Sequence, residues 1–273
     1  MKVFEIFESF KCDIEKLKGK EKEFDIILSE VCELPRFSLW TQPDRDIDDK
    51  KIEKLQESVC QRIKHIPLSW ILSRHRFLDI DLFIKKGVFV PRPETEELTL
   101  IALSQTQKFS RPTLLDFCAG SGAIGIYIAI KNPNATVYGI ERSKKAYSVM
   151  VENSKRFSLS NYIPILSSKI DALDIRFDVV VSNPPYIPQD MYDMLDDEVK
   201  KEPVSSVVSG KDGLRMIRYI ASNIEMVMKK GGVFLCEIGE YYTQKITEIF
   251  MRFNNFEIIK DMSGKDRFVK VVV

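Results

Sequence analysis

The stretch with the most chemistry per residue is Ser182-Asn183-Pro184-Pro185-Tyr186, directly after the apolar run Phe177-Asp178-Val179-Val180-Val181. Each proline fixes φ near about −65° and removes an N–H, and the residue before the first proline is pushed out of helical space. The carbonyls here are therefore not consumed by a continuing helix. An Asn side-chain oxygen beside a prolyl carbonyl makes a pair of acceptors, the complement of a planar –NH2 group with two donors. Tyr186 adds a flat apolar wall. A bare Asn-Pro pair marks a strand-ending turn; four specified residues after a β-branched run ask for more.

Upstream, Gly120-Ser121-Gly122-Ala123-Ile124-Gly125 matches G-x-G-x-x-G between a short apolar strand, Thr113-Leu114-Leu115-Asp116, and an apolar helix from Ala123 to Ile130. NAD and FAD enzymes share that pattern. Glu141, at the tip of the next strand, can accept hydrogen bonds from ribose hydroxyls, so the spacing favours an adenosine cofactor of some kind. Asp116 sits four residues before Gly120, where a carboxylate would repel a pyrophosphate but suits a cationic, phosphate-free cofactor such as S-adenosylmethionine. An amino-group cradle across the crevice from a sulfonium donor is a methyl-transfer arrangement.

The elements that must position these groups follow from periodicity. Val3, Phe7, Phe10, Ile14 and Leu17 predict one amphipathic helix ending near Gly19; two further stripes, Phe24 to Leu34 and Ile52 to Ile63, predict more helices with no strand between them. From Phe77 the period becomes two, and Gly87 turns the chain into Val88-Phe89-Val90, which predicts a β-hairpin linker. Pro91-Arg92-Pro93-Glu94-Thr95-Glu96-Glu97 reads as a helix start, with Arg92 held in a fixed direction between prolines. Strands then alternate with helices, implying a parallel sheet covered on both faces. A closing antiparallel pair is expected at Phe256–Lys260 and Arg267–Val273. The expected organisation is a helical domain over residues 1–75, a hairpin linker over 76–92 and an α/β domain over 93–273.

Composition narrows the function classes. The chain has 273 residues, 44% apolar and 30% charged, as in a globular protein with a sizeable core. A net charge of +1 without a basic run argues against autonomous nucleic-acid binding. The five scattered cysteines, without a C-x-x-C, predict a reduced, cytoplasmic chain, and with only His65 and His75 no spacing resembles a metal site. Neither a signal-peptide core nor a membrane span is expected.

At Asn183-Pro184-Pro185-Tyr186 after an Asp116-to-Gly122 loop, the chain resembles amino-methylating S-adenosylmethionine enzymes, adenine-N6 methyltransferases among them. The narrower resemblance is to the protein-(glutamine-N5) methyltransferases that modify class I peptide-chain release factors, the HemK/PrmC family. It is carried also by Phe89 to Glu96, by Glu202-Pro203 leading to Gly210-Lys211-Asp212-Gly213-Leu214, by Gly231-Gly232 to Glu237-Ile238-Gly239, and by Lys260-Asp261 to Asp266-Arg267. This resemblance implies a seven-stranded Rossmann-like methyltransferase sheet with a small N-terminal helical domain. It also implies S-adenosylmethionine contacts from Cys118, Ala119, Gly120, Ser121, Gly122, Glu141, Lys169 and Asn183. Asn183, Pro184, Pro185 and Tyr186 would hold the substrate glutamine, with Asn183, Pro184 and Tyr186 as the catalytic set. The chain departs from the family at Cys118-Ala119, where a Gly-Thr pair is usual, and at Ser168, Lys169 and Ser73. Two other readings stay open: an adenine-N6 methyltransferase, and a cofactor fold serving only as a binding module.

Overall fold

The computed structural model describes residues 1–240 and 242–273 and divides into two compact units, Met1–Arg74 with Asp197–Lys201, and His75–Asp196 with Glu202–Val273.

The first unit is helical: α1 (Val3–Ser9), α2 (Lys11–Glu15), α3 (Lys22–Cys32), α4 (Ser38–Thr41), α5 (Asp49–Ile63) and α6 (Leu68–Ile71). Its core gathers the apolar stripes, with Phe24, Ile27, Leu28, Leu55 and Val59 fully buried. The single helix expected over residues 3–17 is instead two. Phe10 leaves helical geometry at φ −96° and ψ 5°, and its ring packs on Phe24 at 5.5 Å. The apolar stripe keeps its spacing across the break, so periodicity could not register it. The buried Arg62 guanidinium is held by Glu23 and by Glu198, the latter at 2.7 Å.

The second unit begins with a hairpin of β1 (His75–Phe77) and β2 (Ile80–Leu82), in register His75 with Leu82. Val88-Phe89-Val90, expected as its second arm, forms no strand. The chain reverses earlier, at Leu78-Asp79, where Leu78 takes φ 51° and donates its N–H to Glu96 at 2.9 Å. That side-chain anchor replaces the glycine expected in such a turn.

Then follow α7 (Pro93–Thr106), β3 (Thr113–Phe117), α8 (Ala123–Lys131), β4 (Thr136–Glu141), α9 (Lys144–Arg156), β5 (Tyr162–Leu166), β6 (Phe177–Ser182), α10 (Val204–Val207), α11 (Arg215–Val227), β7 (Met228–Glu237), α12 (Thr243–Phe250), β8 (Asn255–Lys260) and β9 (Asp266–Val272). Seven strands form one sheet in the order β5-β4-β3-β6-β7-β9-β8, parallel from β5 to β7, with β9 antiparallel to both its neighbours. This is the seven-stranded α/β fold expected.

β6 lies at the centre with all six residues buried. Each fully buried Val or Phe there contributes roughly 1.5–3 kcal/mol. Its one charge, Asp178, is compensated. Burial pushes its carboxyl up, but Lys229 and the Thr113 N–H and hydroxyl, all within 2.9 Å, hold it below the ordinary range. Strand order reverses direction between β3 and β6, and a ligand crevice opens at the carboxyl ends of strands at such a switch point. Among the described residues, no helix is long and apolar enough to cross a membrane.

Candidate active site

The loops after β3, β4, β5 and β6 leave the same edge of the sheet, and register brings two of them together. Phe117 pairs with Ser182, and the Ser182 hydroxyl donates to the Phe117 carbonyl at 2.6 Å. The residues that follow, Cys118 and Asn183, therefore start side by side. They line one cleft of about 720 Å³, measured out to open solvent, together with Gly120, Glu141 and Pro185.

The glycine loop forms the floor. Gly120 has φ 58°, and a Cβ there would meet nothing within 4 Å, so the backbone is bare toward the cleft. Cys118 also takes a left-handed φ, 64°, and burial pushes its thiol far above its ordinary range, leaving it protonated and unreactive. Ala119, Ser121 and Gly122 form the back of the loop and do not line the cleft. Ala119 donates its N–H to Ile140 at 3.0 Å, Ser121 is buried, and a Cβ on Gly122 would strike Ile126 at 2.8 Å. Asp116 is likewise behind the loop. It is fully buried, accepts the Gly125 N–H at 3.0 Å in the first turn of α8, and is pushed up to about 7 by burial. It shapes the loop from beneath instead of facing the cleft.

Glu141 is the cleft's carboxylate. Its oxygens accept from the Gly120 N–H at 2.9 Å and the Ser143 N–H at 2.7 Å, tying the β3 and β4 loops together. Burial pushes its carboxyl above the ordinary range although these N–H groups oppose the shift. Each carboxylate oxygen keeps a further acceptor site. Arg142, also on the cleft, spends a guanidinium N–H on the Ser205 carbonyl at 2.8 Å. Lys169, expected on the adenine side, is exposed and outside the cleft lining; Ser167 and Ser168 take that place. The Ser167 N–H is bonded to Glu141 and the Ser167 hydroxyl accepts from the Lys169 N–H, a tight turn that leaves the ammonium in water.

On the other side stands the Asn-Pro-Pro-Tyr turn. Asn183 Nδ2 donates to Thr95 Oγ1 at 2.8 Å, the Thr95 hydroxyl donates to Glu237 Oε2 at 2.8 Å, and the Tyr186 hydroxyl donates to Glu237 Oε1 at 3.1 Å. Pro184 is buried and Tyr186 packs on the core beside it. Burial, then the neighbouring Glu237, hold the Tyr186 phenol protonated far above its ordinary range. Gly213 is the close approach that seats this turn. It has φ 77°, and a Cβ there would lie 2.3 Å from the Tyr186 carbonyl oxygen. Gly213→Ala is expected to cost about 1–3 kcal/mol from the forced displacement, beyond the left-handed backbone penalty. Denaturant unfolding checks it: a midpoint equal to wild type would remove Gly213 from this role.

Arg92 does point in one direction. Its guanidinium reaches both oxygens of the buried Glu202, at 2.9 and 3.0 Å, and lies 4.8 Å over the Phe89 ring. Phe89 and Pro203 line the cleft, so this pair joins two of its walls. Phe89 and Pro203 belong to stretches that carry the resemblance, whereas Ser205, Ser206 and Met216 carry no local pattern from which sequence could have picked them out. Thr95 and Glu237 were legible as parts of the matched stretches, and Glu237 as an acid ending an apolar strand, but no role could be read for either.

The fit to an adenosine-bearing cation follows from the donor set. Glu141 keeps acceptor sites on the cleft that a diol could use, the bare Gly120 backbone permits close approach, and Arg142 beside Glu141 spends one guanidinium N–H on the Ser205 carbonyl.

Known proteins agree in kind. A family profile described as Methyltransferase small domain matches residues 80–201, and one described as PrmC N-terminal domain matches residues 14–72. The release factor glutamine methyltransferase of Clostridium botulinum is 34% identical over 90% of this chain and 89% of its own length; that of Clostridium acetobutylicum is 32% identical over 94% of each. A methyltransferase structure from Pyrococcus furiosus superposes with a TM-score of 0.53 at 17% identity, covering 82% of this chain and 98% of that one, a likeness of fold.

Proposed function

Because the chain belongs to the family of release factor glutamine methyltransferases, we propose that it methylates the side-chain amide nitrogen of a glutamine in class I peptide-chain release factors. It is a methyltransferase, and its methyl donor is S-adenosylmethionine. That donor, when bound, supplies an electrophilic methyl group on a cationic sulfur. The residues assigned to hold it are Cys118, Gly120, Glu141 and Asn183 on the cleft, with Ser167 and Ser168 in the place expected for Lys169.

An amide nitrogen is a poor nucleophile because its lone pair is delocalised into the carbonyl. Positioning must therefore do much of the work, and aligned reactants can recover roughly 7–11 kcal/mol of barrier. The Asn183 side-chain oxygen and the Pro184 carbonyl accept the two N–H bonds of the substrate amide, turning its nitrogen into the cleft. Pro185 and Tyr186 pack against its plane. Each acceptor left unpaired costs about 1–3 kcal/mol, which selects against side chains lacking –NH2. The single observation that supports this most is the engagement of Asn183 Nδ2 by Thr95, because it leaves Oδ1 as the group to offer a donor.

The helical region, residues 1–75, is assigned the grip on the protein substrate, the hairpin region 76–92 the link, and residues 93–273 the chemistry. A cytoplasmic enzyme without strong nucleic-acid affinity belongs to the same reading.

The test is incubation of the purified chain with S-adenosylmethionine and a bacterial release factor, followed by peptide mass mapping. The expected result is one added methyl group on a glutamine, with no label transferred to DNA or RNA from tritiated donor. Methylated adenine in nucleic acid with an unmodified release factor would overturn the reading.

A further inference from the structure

Glu237 is 1% exposed at the end of β7, and Thr95 is 3% exposed in the first turn of α7. Neither lines the cleft, yet both connect to Asn183 through a chain of three polar groups at 2.8 Å each step. A hydroxyl carries one proton. Spent on the Glu237 carboxylate, that proton leaves Thr95 Oγ1 only as an acceptor, so Asn183 must present its –NH2 to Thr95 and keep its oxygen for the cleft. Among the described residues that oxygen has no partner in the protein. The second oxygen of Glu237 takes the Tyr186 hydroxyl, so one carboxylate orients both ends of the Asn-Pro-Pro-Tyr turn.

We propose that Glu237 and Thr95 are positioning residues that set the direction of the Asn183 amide, and thereby determine that the site presents an acceptor to its substrate. The inference rests on the amide-transfer reading above. With a donor in place of the carboxylate the chain runs backward. The group at 237 then donates to Thr95, the Thr95 hydroxyl donates to Asn183 Oδ1, and the asparagine –NH2 meets the substrate –NH2, donor against donor.

The surroundings make this direction dependent on pH. Burial pushes the Glu237 carboxyl up to about 7; the hydrogen bonds from Thr95 and Tyr186 and the charge of Arg267 oppose the shift, and Glu94 adds to it. Protonation of Glu237 supplies the wrong donor, so turnover falls as pH drops below about 7.

The experiment uses Glu237→Gln, Thr95→Val and Thr95→Ser in the full chain. Glu237→Gln and Thr95→Val are each expected to lower kcat on release factor by roughly tenfold to a hundredfold. Donor Kd by calorimetry should change by no more than about fivefold, because Cys118, Gly120 and Glu141 keep their places on the cleft and only the Asn183 amide is turned. Thr95→Ser, which restores the hydroxyl, recovers most of the turnover. The acid limb near neutral pH present in the wild type is absent from Glu237→Gln, whose amide does not titrate. Glu237→Gln should also melt no lower than wild type at about pH 8. A carboxyl whose folded pKa lies above its unfolded one draws stability out of the native state as pH rises through that window, and the amide does not. Wild-type kcat in either Glu237→Gln or Thr95→Val, or an unchanged acid limb in Glu237→Gln, overturns the proposal while leaving the function standing. A wild-type chain unable to methylate release factor defeats the function itself.

Discussion

Asn183→Ala is expected to lower turnover on release factor by at least ~100-fold while leaving the fold and most donor binding intact, the scale of one lost transition-state polar contact. The reason is geometric. Asn183 follows the last residue of β6, whose six residues are buried and whose neighbours on both sides are paired strands, so the backbone that carries it does not depend on its side chain. Removing the amide leaves Thr95 still bonded to Glu237 and takes away the oxygen offered to the substrate together with the bond from Asn183 Nδ2 to Thr95. Single-turnover kinetics with saturating donor reads the chemical step directly. A folded Asn183→Ala protein with near-normal turnover would remove the amide cradle from the mechanism.

The second large effect falls on donor affinity. Glu141→Ala deletes the acceptor assigned to the ribose and also strands the Gly120 and Ser143 N–H groups that it holds at 2.9 and 2.7 Å. Hydrogen bonds to a charged group contribute about 1.5–3 kcal/mol each, so donor Kd should rise roughly tenfold to a few hundredfold. Calorimetric titration with S-adenosylmethionine measures it, and an unchanged Kd would exclude Glu141 as the ribose acceptor. The pH dependence has a definite sign. Burial raises the Glu141 carboxyl, so donor affinity declines as acid protonates the acceptor. Stability runs the other way. With the folded pKa above the unfolded one, the native state binds the proton more readily, and this contribution is complete below the unfolded pKa and lost as pH rises through the folded one.

The two effects should separate cleanly, because the residues act on opposite sides of one cleft. Glu141 ends β4 and Gly120 lies in the loop after β3, whereas Asn183 follows β6, across the reversal in strand order. Loss at Glu141 should appear mainly in Kd, loss at Asn183 mainly in kcat.

Much of this was legible in the chain itself, for local reasons. Apolar runs such as Phe177–Val181 can only be buried strands when helices flank them, and the Gly120-Ser121-Gly122 bend, Glu141 at a strand tip and Asn183 before two prolines each declare their chemistry within a few residues. The hairpin was misplaced because Gly87 is the stronger local turn signal, while the turn used, Leu78-Asp79, is held by Glu96, 18 residues away. Lys169 was placed toward the cofactor by position, but a hydrogen bond from Ser167 to Glu141 turns the chain so that its neighbours face the cleft instead.

What residue order alone determined is therefore the inventory: which strands, which bend, which two oxygens at a rigid turn. Only the folded chain decided how those groups are aimed. Thr95 and Glu237 are 142 positions apart, and Thr95 and Asn183 are 88 apart. No pattern within a window of residues encodes that one proton on a buried hydroxyl points toward a carboxylate. That direction exists once the sheet has closed around it, because burial removes the water that would otherwise satisfy either orientation.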